Sequence, residues 1–179
     1  MIDLNSIPGV AETWPDFTPS EWGAEHVSKA VYEFVSAANL PGVRSVFEAK
    51  PVQWDNPQNF YGSGQPWGVS LYVFAKKQQQ TQTYSATGTP ERVIVHDVAI
   101  QGLYRASTND EGASVLLQRR IEDGLKDLII ANPKLGGTVY EAGISSLVAD
   151  RGEAERKAQN HEIWFYVSFP VKVWAPPGA

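Results

Sequence analysis

The alternation of apolar and polar residues is sharpest near the C-terminal end of the chain. From His161 to Trp174, Ile163, Phe165, Val167, Phe169, Val171 and Val173 alternate with Trp164, Tyr166, Ser168, Pro170, Lys172 and Trp174. A period of two predicts a long strand with one buried face. Pro170 has no N–H to donate, so the strand is expected to lie at a sheet edge there, or to bend. Two other stretches have a period between three and four. Trp22, Val27, Ala30, Val31, Phe34, Val35 and Ala38 predict an amphipathic helix. Its expected start is Thr18-Pro19-Ser20-Glu21, with Thr18 as cap and Pro19 in the first turn; Leu40-Pro41-Gly42 ends it. Val115, Leu117, Ile121, Leu125 and Leu128 predict a second helix, capped within Thr108–Glu111 and stopped at Asn132-Pro133. Arg119, Arg120, Glu122, Asp123 and Lys126 are expected on its solvated side.

Between the helices the pattern predicts three strands. Val43 to Trp54 carries Val46, Phe47 and Val52; VSLYVFA (69–75) is continuously apolar; Arg92 to Ala106 follows. In the last of these, Val93 and Val95 against Val98 and Ile100 suggest a change of face, with Gly102 as a candidate bulge. Ile144 to Val148 predicts one more strand before the final one, and DRGEAERKAQN (150–160) a charged loop between them. The order helix, three strands, helix, two strands predicts an α+β domain. It is expected to hold a mostly antiparallel sheet of about four to five strands, with both helices on one face. Residues 1–17 predict an extended arm, 18–175 a single domain and 176–179 a short tail.

Two segments have no regular pattern. Residues 55–68 (DNPQNFYGSGQPWG) read as a loop carrying Phe60, Tyr61 and Trp67, either docked over the core or used for binding. KKQQQTQTYS (76–85) is β-compatible but has nothing to bury. It predicts a solvated hairpin arm or flexible loop; the functional alternative is an edge that meets a partner through backbone hydrogen bonds.

Composition narrows the function classes. The 179 residues allow a sizeable core, with roughly 70% of the unfolded surface buried. There is no cysteine, which removes disulfides, thiolate metal sites and cysteine nucleophiles. A formal charge of −5 argues against nonspecific nucleic-acid binding. No run of about 18 apolar residues occurs, so no membrane helix is expected, and the N-terminus lacks the pattern of a signal peptide. Six tryptophans are many for this length, and Trp14, Trp54, Trp67 and Trp174 fall in loop-like contexts. Such residues either pin loops to the domain or anchor interfaces.

Candidate chemistry is sparse. His26, His96 and His161 lack ligand spacing, so satisfied or surface histidines are expected and no metal. His96-Asp97 are strand neighbours that point to opposite faces. No GxSxG elbow is present, and Gly62-Ser63-Gly64 lacks its context. Leu135-Gly136-Gly137 follows a helix, whose C-terminal end is partially negative, whereas a phosphate loop precedes one. Asp110-Glu111 and Glu122-Asp123 are explained by a helix cap and a solvated face. No enzyme and no cofactor are expected.

Tyr104-Arg105 at a strand end, a capped helix stopping at Asn132-Pro133, the turn Leu135-Gly136-Gly137 and the strand 163–173 together resemble the tail terminator (tail completion) proteins of long-tailed bacteriophages. The resemblance covers about residues 90–175 well and 20–75 by element order alone. It implies a structural virion protein of the tail or neck, assembled in the host cytoplasm. Such a protein forms a ring, usually a hexamer, on the head-proximal end of the tail tube. The ring ends tube polymerisation and joins the tail to the head connector. The implied partners are copies of the same chain, the tail tube protein and the connector or stopper protein, with DNA passing only transiently through the lumen and no membrane. Candidate contact residues are Trp54, Phe60, Tyr61, Trp67, Lys76, Lys77, Gln80, Gln82 and Trp174, with the charged stretch 150–160 as a further candidate. Two other readings stay open: another head-tail connector or minor tail protein, and a small-ligand-binding or enzymatic α+β domain with 55–68 over a pocket.

Overall fold

A computed structural model of the chain describes residues 22–50, 67–84, 90–106, 111–143, 147–157 and 160–175. The elements run α1 (Ala24–Ala37), β1 (Val43–Phe47), β2 (Trp67–Tyr84), β3 (Pro90–Ala106), α2 (Glu111–Ala131), a 3-10 turn (Leu135–Gly137), β4 (Glu141–Ala142), β5 (Val148–Lys157) and β6 (Asn160–Ala175). The strands form one mixed sheet in the order β1-β2-β3-β6-β4, with β5 also paired to β6. The α+β class, the single sheet and the two helices agree with the expectation from pattern.

Both helices pack on the same face. Val27, Val31 and Val35 of α1 and Ile121, Leu125 and Ile129 of α2 share one buried cluster with Val69, Leu71 and Val73 of β2, Ile100 and Tyr104 of β3, and the odd-numbered residues 163–173 of β6. The alternation in β6 is therefore the direct print of its burial. Pro170 fits because of where its neighbours stop. Its carbonyl accepts from the Gly143 N–H at 2.9 Å, so its ring nitrogen faces the same side. That side is the gap between β5, which pairs as far as Ser168, and β4, which begins at Val171. A missing donor costs nothing there.

Several expectations are corrected. Helix α1 begins at Ala24, behind an extended Gly23 (φ −77°, ψ 163°), so Trp22 precedes the helix; the proposed cap at Thr18–Glu21 lies outside the described residues. β1 ends at Phe47 rather than reaching Trp54, and it pairs with β2 in parallel. The connection between them has 19 residues, long enough for the crossover that parallel pairing needs. β3 does not change face. Ile94 and the buried His96 continue the side of Val98 and Ile100, so a histidine stands where an apolar residue was sought. Gly102 is no bulge: its register is regular, and a Cβ there would lie 2.2 Å from the Phe165 ring. The irregularity falls instead on β2, between Ala75 and Lys77. The strand sought at 144–148 is replaced by β4 and β5, with 144–146 outside the described residues. The expected charged loop 150–160 is mostly β5, which pairs antiparallel with β6.

Candidate assembly surfaces

The tract Lys76–Tyr84 is a strand. β2 and β3 stay paired from Trp67↔Ala106 to Tyr84↔Pro90, which makes β2 18 residues long. Strands usually have about 5–6 residues. β1 lies beside β2 only from Val69 to Tyr72. Among the described residues, no strand lies on that side of β2 from Val73 to Tyr84. At the opposite margin β5 pairs with β6, and no described strand lies on its outer side. Among the described residues, the outer stretch of β2 and the length of β5 thus each have a bare margin. They lie at diagonal corners: β5 is level with the Trp67 end of β2, and the bare stretch of β2 is at the Tyr84 end.

The candidate contact residues distribute unevenly. Trp54, Phe60 and Tyr61 lie outside the described residues. Lys77, Gln80 and Gln82 take positions on the bare stretch of β2, opposite Asp97, Ile94 and Arg92. Lys76 is exposed, with its ammonium 4.4 Å above the Tyr166 ring. Trp67 is half-buried against the core. It stacks on Tyr104 at 6.3 Å, and a Cβ on Gly42 would come within 2.4 Å of its ring. Gly42, at φ +87°, is fitted to the turn and to that ring alike. The fold therefore uses Trp67 directly. Trp174 is 44% exposed and meets the 50% exposed Tyr140 edge to face at 5.0 Å. Beside them Lys172 Nζ lies 2.7 Å from Glu141 Oε1. Tyr140 was absent from the sequence-based candidates, because nothing in its local pattern places it across from the end of β6.

The turn after α2 is structural. The Asn132 side-chain amide donates to the Leu128 carbonyl at 2.9 Å, and the Leu135 N–H to the Asn132 carbonyl at 2.9 Å. The Pro133 carbonyl accepts from the Ala142 N–H at 2.6 Å. Leu135 is buried at φ +45°, while Gly136 and Gly137 follow at φ +74° and +98° with open space around them. Backbone conformation, not close approach, selects the glycines. The turn plugs Leu135 into the core and aims the chain at β4.

The sheet face away from the helices carries Phe47, Tyr72, Phe74, Leu103 and Trp164 in a second cluster. Tyr72 stacks on Phe74 at 5.4 Å and donates its hydroxyl proton to Gln101. Burial pushes the Tyr72 pKa up. At the Trp67 end of this face, Arg105 donates from Nε to Glu162 Oε1 at 2.8 Å, and its Nη2 bonds the same oxygen. The two are cross-strand partners and nearly buried. Glu122, expected on a solvated face, is 1% exposed: it accepts from Gln118 Nε2 at 2.9 Å and pairs with Lys126 at 3.2 Å. Lys126 also contacts Asp123, and that bond is the first cause of its raised pKa.

His96 is fully buried, with Nε2 2.8 Å from the Trp22 carbonyl. That carbonyl can only accept, so Nε2 carries the hydrogen. Burial pushes its pKa down, and the Trp22 contact opposes this. No group of three or more His, Cys, Asp or Glu that could hold a metal occurs among the described residues. No described helix is long and apolar enough to cross a membrane. Neither a known protein-family model nor a curated protein matches the chain.

Proposed function

We propose that this chain is a ring-forming tail terminator: copies of it cap the head-proximal end of a phage tail tube and present the opposite face to the head connector. The observation that carries the reading is the outer half of β2. Its sequence, KKQQQTQTY, holds no apolar residue before Tyr84, yet it continues an ordered ladder whose outer side faces no described strand. A polar strand that continues a sheet past its core is suited to meeting another chain. The Leu135-Gly136-Gly137 turn supports the same reading, because the residues that carry the family resemblance build a rigid junction between α2 and the final strands. A ring requires head-to-tail contacts that close, and two dissimilar axial surfaces. Lys76, Lys77, Gln80 and Gln82 on one margin and the Tyr140–Trp174 pair at another give the subunit unlike surfaces for unlike neighbours.

The test is solution mass by light scattering over a concentration series, with negative-stain images and a tube-capping assay. Rings with a central hole that halt elongation of tail tubes are the expected result. A chain that stays monomeric and leaves tube elongation unchanged would overturn the reading.

A further inference from the structure

We infer that the subunits join by sheet extension, the bare margin of β2 (Val73–Tyr84) in one copy pairing with the bare margin of β5 (Val148–Lys157) in the next. This rests on the ring reading above and adds to it which edges meet.

Three features of the sheet lead there. The first is strand sense. β2, β3, β6 and β5 alternate in direction across the sheet, each pair antiparallel. A β2 strand placed beside β5 of a neighbour, with the two sheets running in the same sense, is again antiparallel. The second is length. The bare stretch of β2 has 12 residues and β5 has 10, so one margin can satisfy nearly all the backbone groups of the other. The third is the diagonal placement. Joining the two corners shifts each subunit along the strand direction by roughly eight residues, about 26 Å at the ordinary strand rise. Closed sheets need such a stagger between strands. Because the two margins differ, the contact is head-to-tail, the type that closes into a ring. Two like margins meeting would instead stop at a dimer. The margins also carry what keeps edges from pairing indiscriminately: adjacent lysines at 76 and 77, and ladder irregularities at Ala75/Lys77 and Arg151/Ala154.

The chain has no cysteine, which makes the test clean. A Gln79→Cys, Glu153→Cys double variant places one thiol near the centre of each margin. Within one chain, β3 and β6 stand between them, three strand spacings or about 14 Å across, with the stagger added. A short bis-maleimide cannot span that. Gln79→Cys with Ala154→Cys shifts the register by one residue, and circular dichroism with thermal melting checks that each variant folds as the parent does. Sheet extension predicts a ladder of covalent multimers beyond the dimer from at least one double variant, and single chains from each single variant. Dimers from Gln79→Cys alone would overturn the pairing, since they require two β2 margins face to face. Large species by scattering without cross-links would also overturn it, while leaving the ring intact. Absence of both large species and cross-links would count against the pairing and the ring together.

Discussion

The two halves of β2 belong to one strand but are held by different forces. From Val69 to Val73 every residue is buried, between the helices on one side and the aromatic cluster on the other, with β1 alongside. From Lys76 onward the ladder to β3 continues without β1, and Lys76 and Gln79 are exposed. The inner half is therefore stabilised by apolar burial, and the support described for the outer half is its ladder of hydrogen bonds to β3. Ladder bonds alone contribute little net stability, because water offers the same bonds to the unfolded chain. The contrast separates a part of the strand that maintains the fold from a part whose outer side no described strand covers.

The strongest way to break the inner half is at its end. Arg105→Ala leaves the nearly buried Glu162 carboxylate without its guanidinium, and the expected loss is about 3–5 kcal/mol in denaturant unfolding. Replacing both partners by apolar residues of similar volume should restore much of that loss. If the single variant costs no more than the double, the pair is not what closes this end of the sheet. Next in size is Leu71→Ala. Leu71 is fully buried on the helix side, and its truncation is expected to cost about 2–5 kcal/mol. Both variants should lower the melting temperature without changing how folded chains associate.

The inner half was legible in the sequence, whereas for the outer half the sequence left a solvated hairpin arm and a flexible loop both open, and the ladder to β3 is the arm. Apolar alternation reports burial against the strand's own domain, so Leu71, Val73 and the odd positions of β6 could be read directly. The ladder at Gln78–Tyr84 leaves no such print, and the sequence there is as compatible with a loop. β5 failed likewise: DRGEAERK has no apolar period, yet it pairs with β6 on both sides of the irregularity at Arg151/Ala154. His96 failed in the opposite way. It sits at a core position, and a polar residue on the buried side of β3 broke the count and suggested a change of face. Of the candidate contact residues, Lys76, Lys77, Gln80 and Gln82 were named from composition, and the structure places them on the outer half of β2. Tyr140 and the Arg105–Glu162 pair needed the sheet register.

His96 lies opposite Gln78, so it tests whether the outer half has a core of its own beneath β3. Burial lowers its pKa, so near neutral pH the folded chain holds it uncharged. As pH falls below the unfolded value of about 6.5, the unfolded chain takes up a proton that the folded chain resists. The stability is thus complete above about pH 6.5 and is lost as pH falls towards the lowered folded value. Urea midpoints should drop between about pH 7.5 and pH 5.5 in the parent, and the drop should be smaller in His96→Gln. An identical drop in both would place the titrating group elsewhere.

The smallest effect on stability is expected at Gln79, and it sharpens the comparison most. Gln79 is exposed on the outer half, and Gln79→Ala should change the unfolding free energy by no more than about 0.5 kcal/mol. Proline is different, because it removes a backbone donor. Successive residues of β2 direct their N–H groups alternately towards β3 and towards the bare margin. Of Gln79→Pro and Gln80→Pro, one therefore breaks the hairpin ladder and should lower the melting temperature. The other removes a donor that faces no described strand of the same chain, and should weaken assembly with little change in melting. Equal melting losses from both, with assembly unaffected in the parent fold, would mean that the outer half serves its own chain alone.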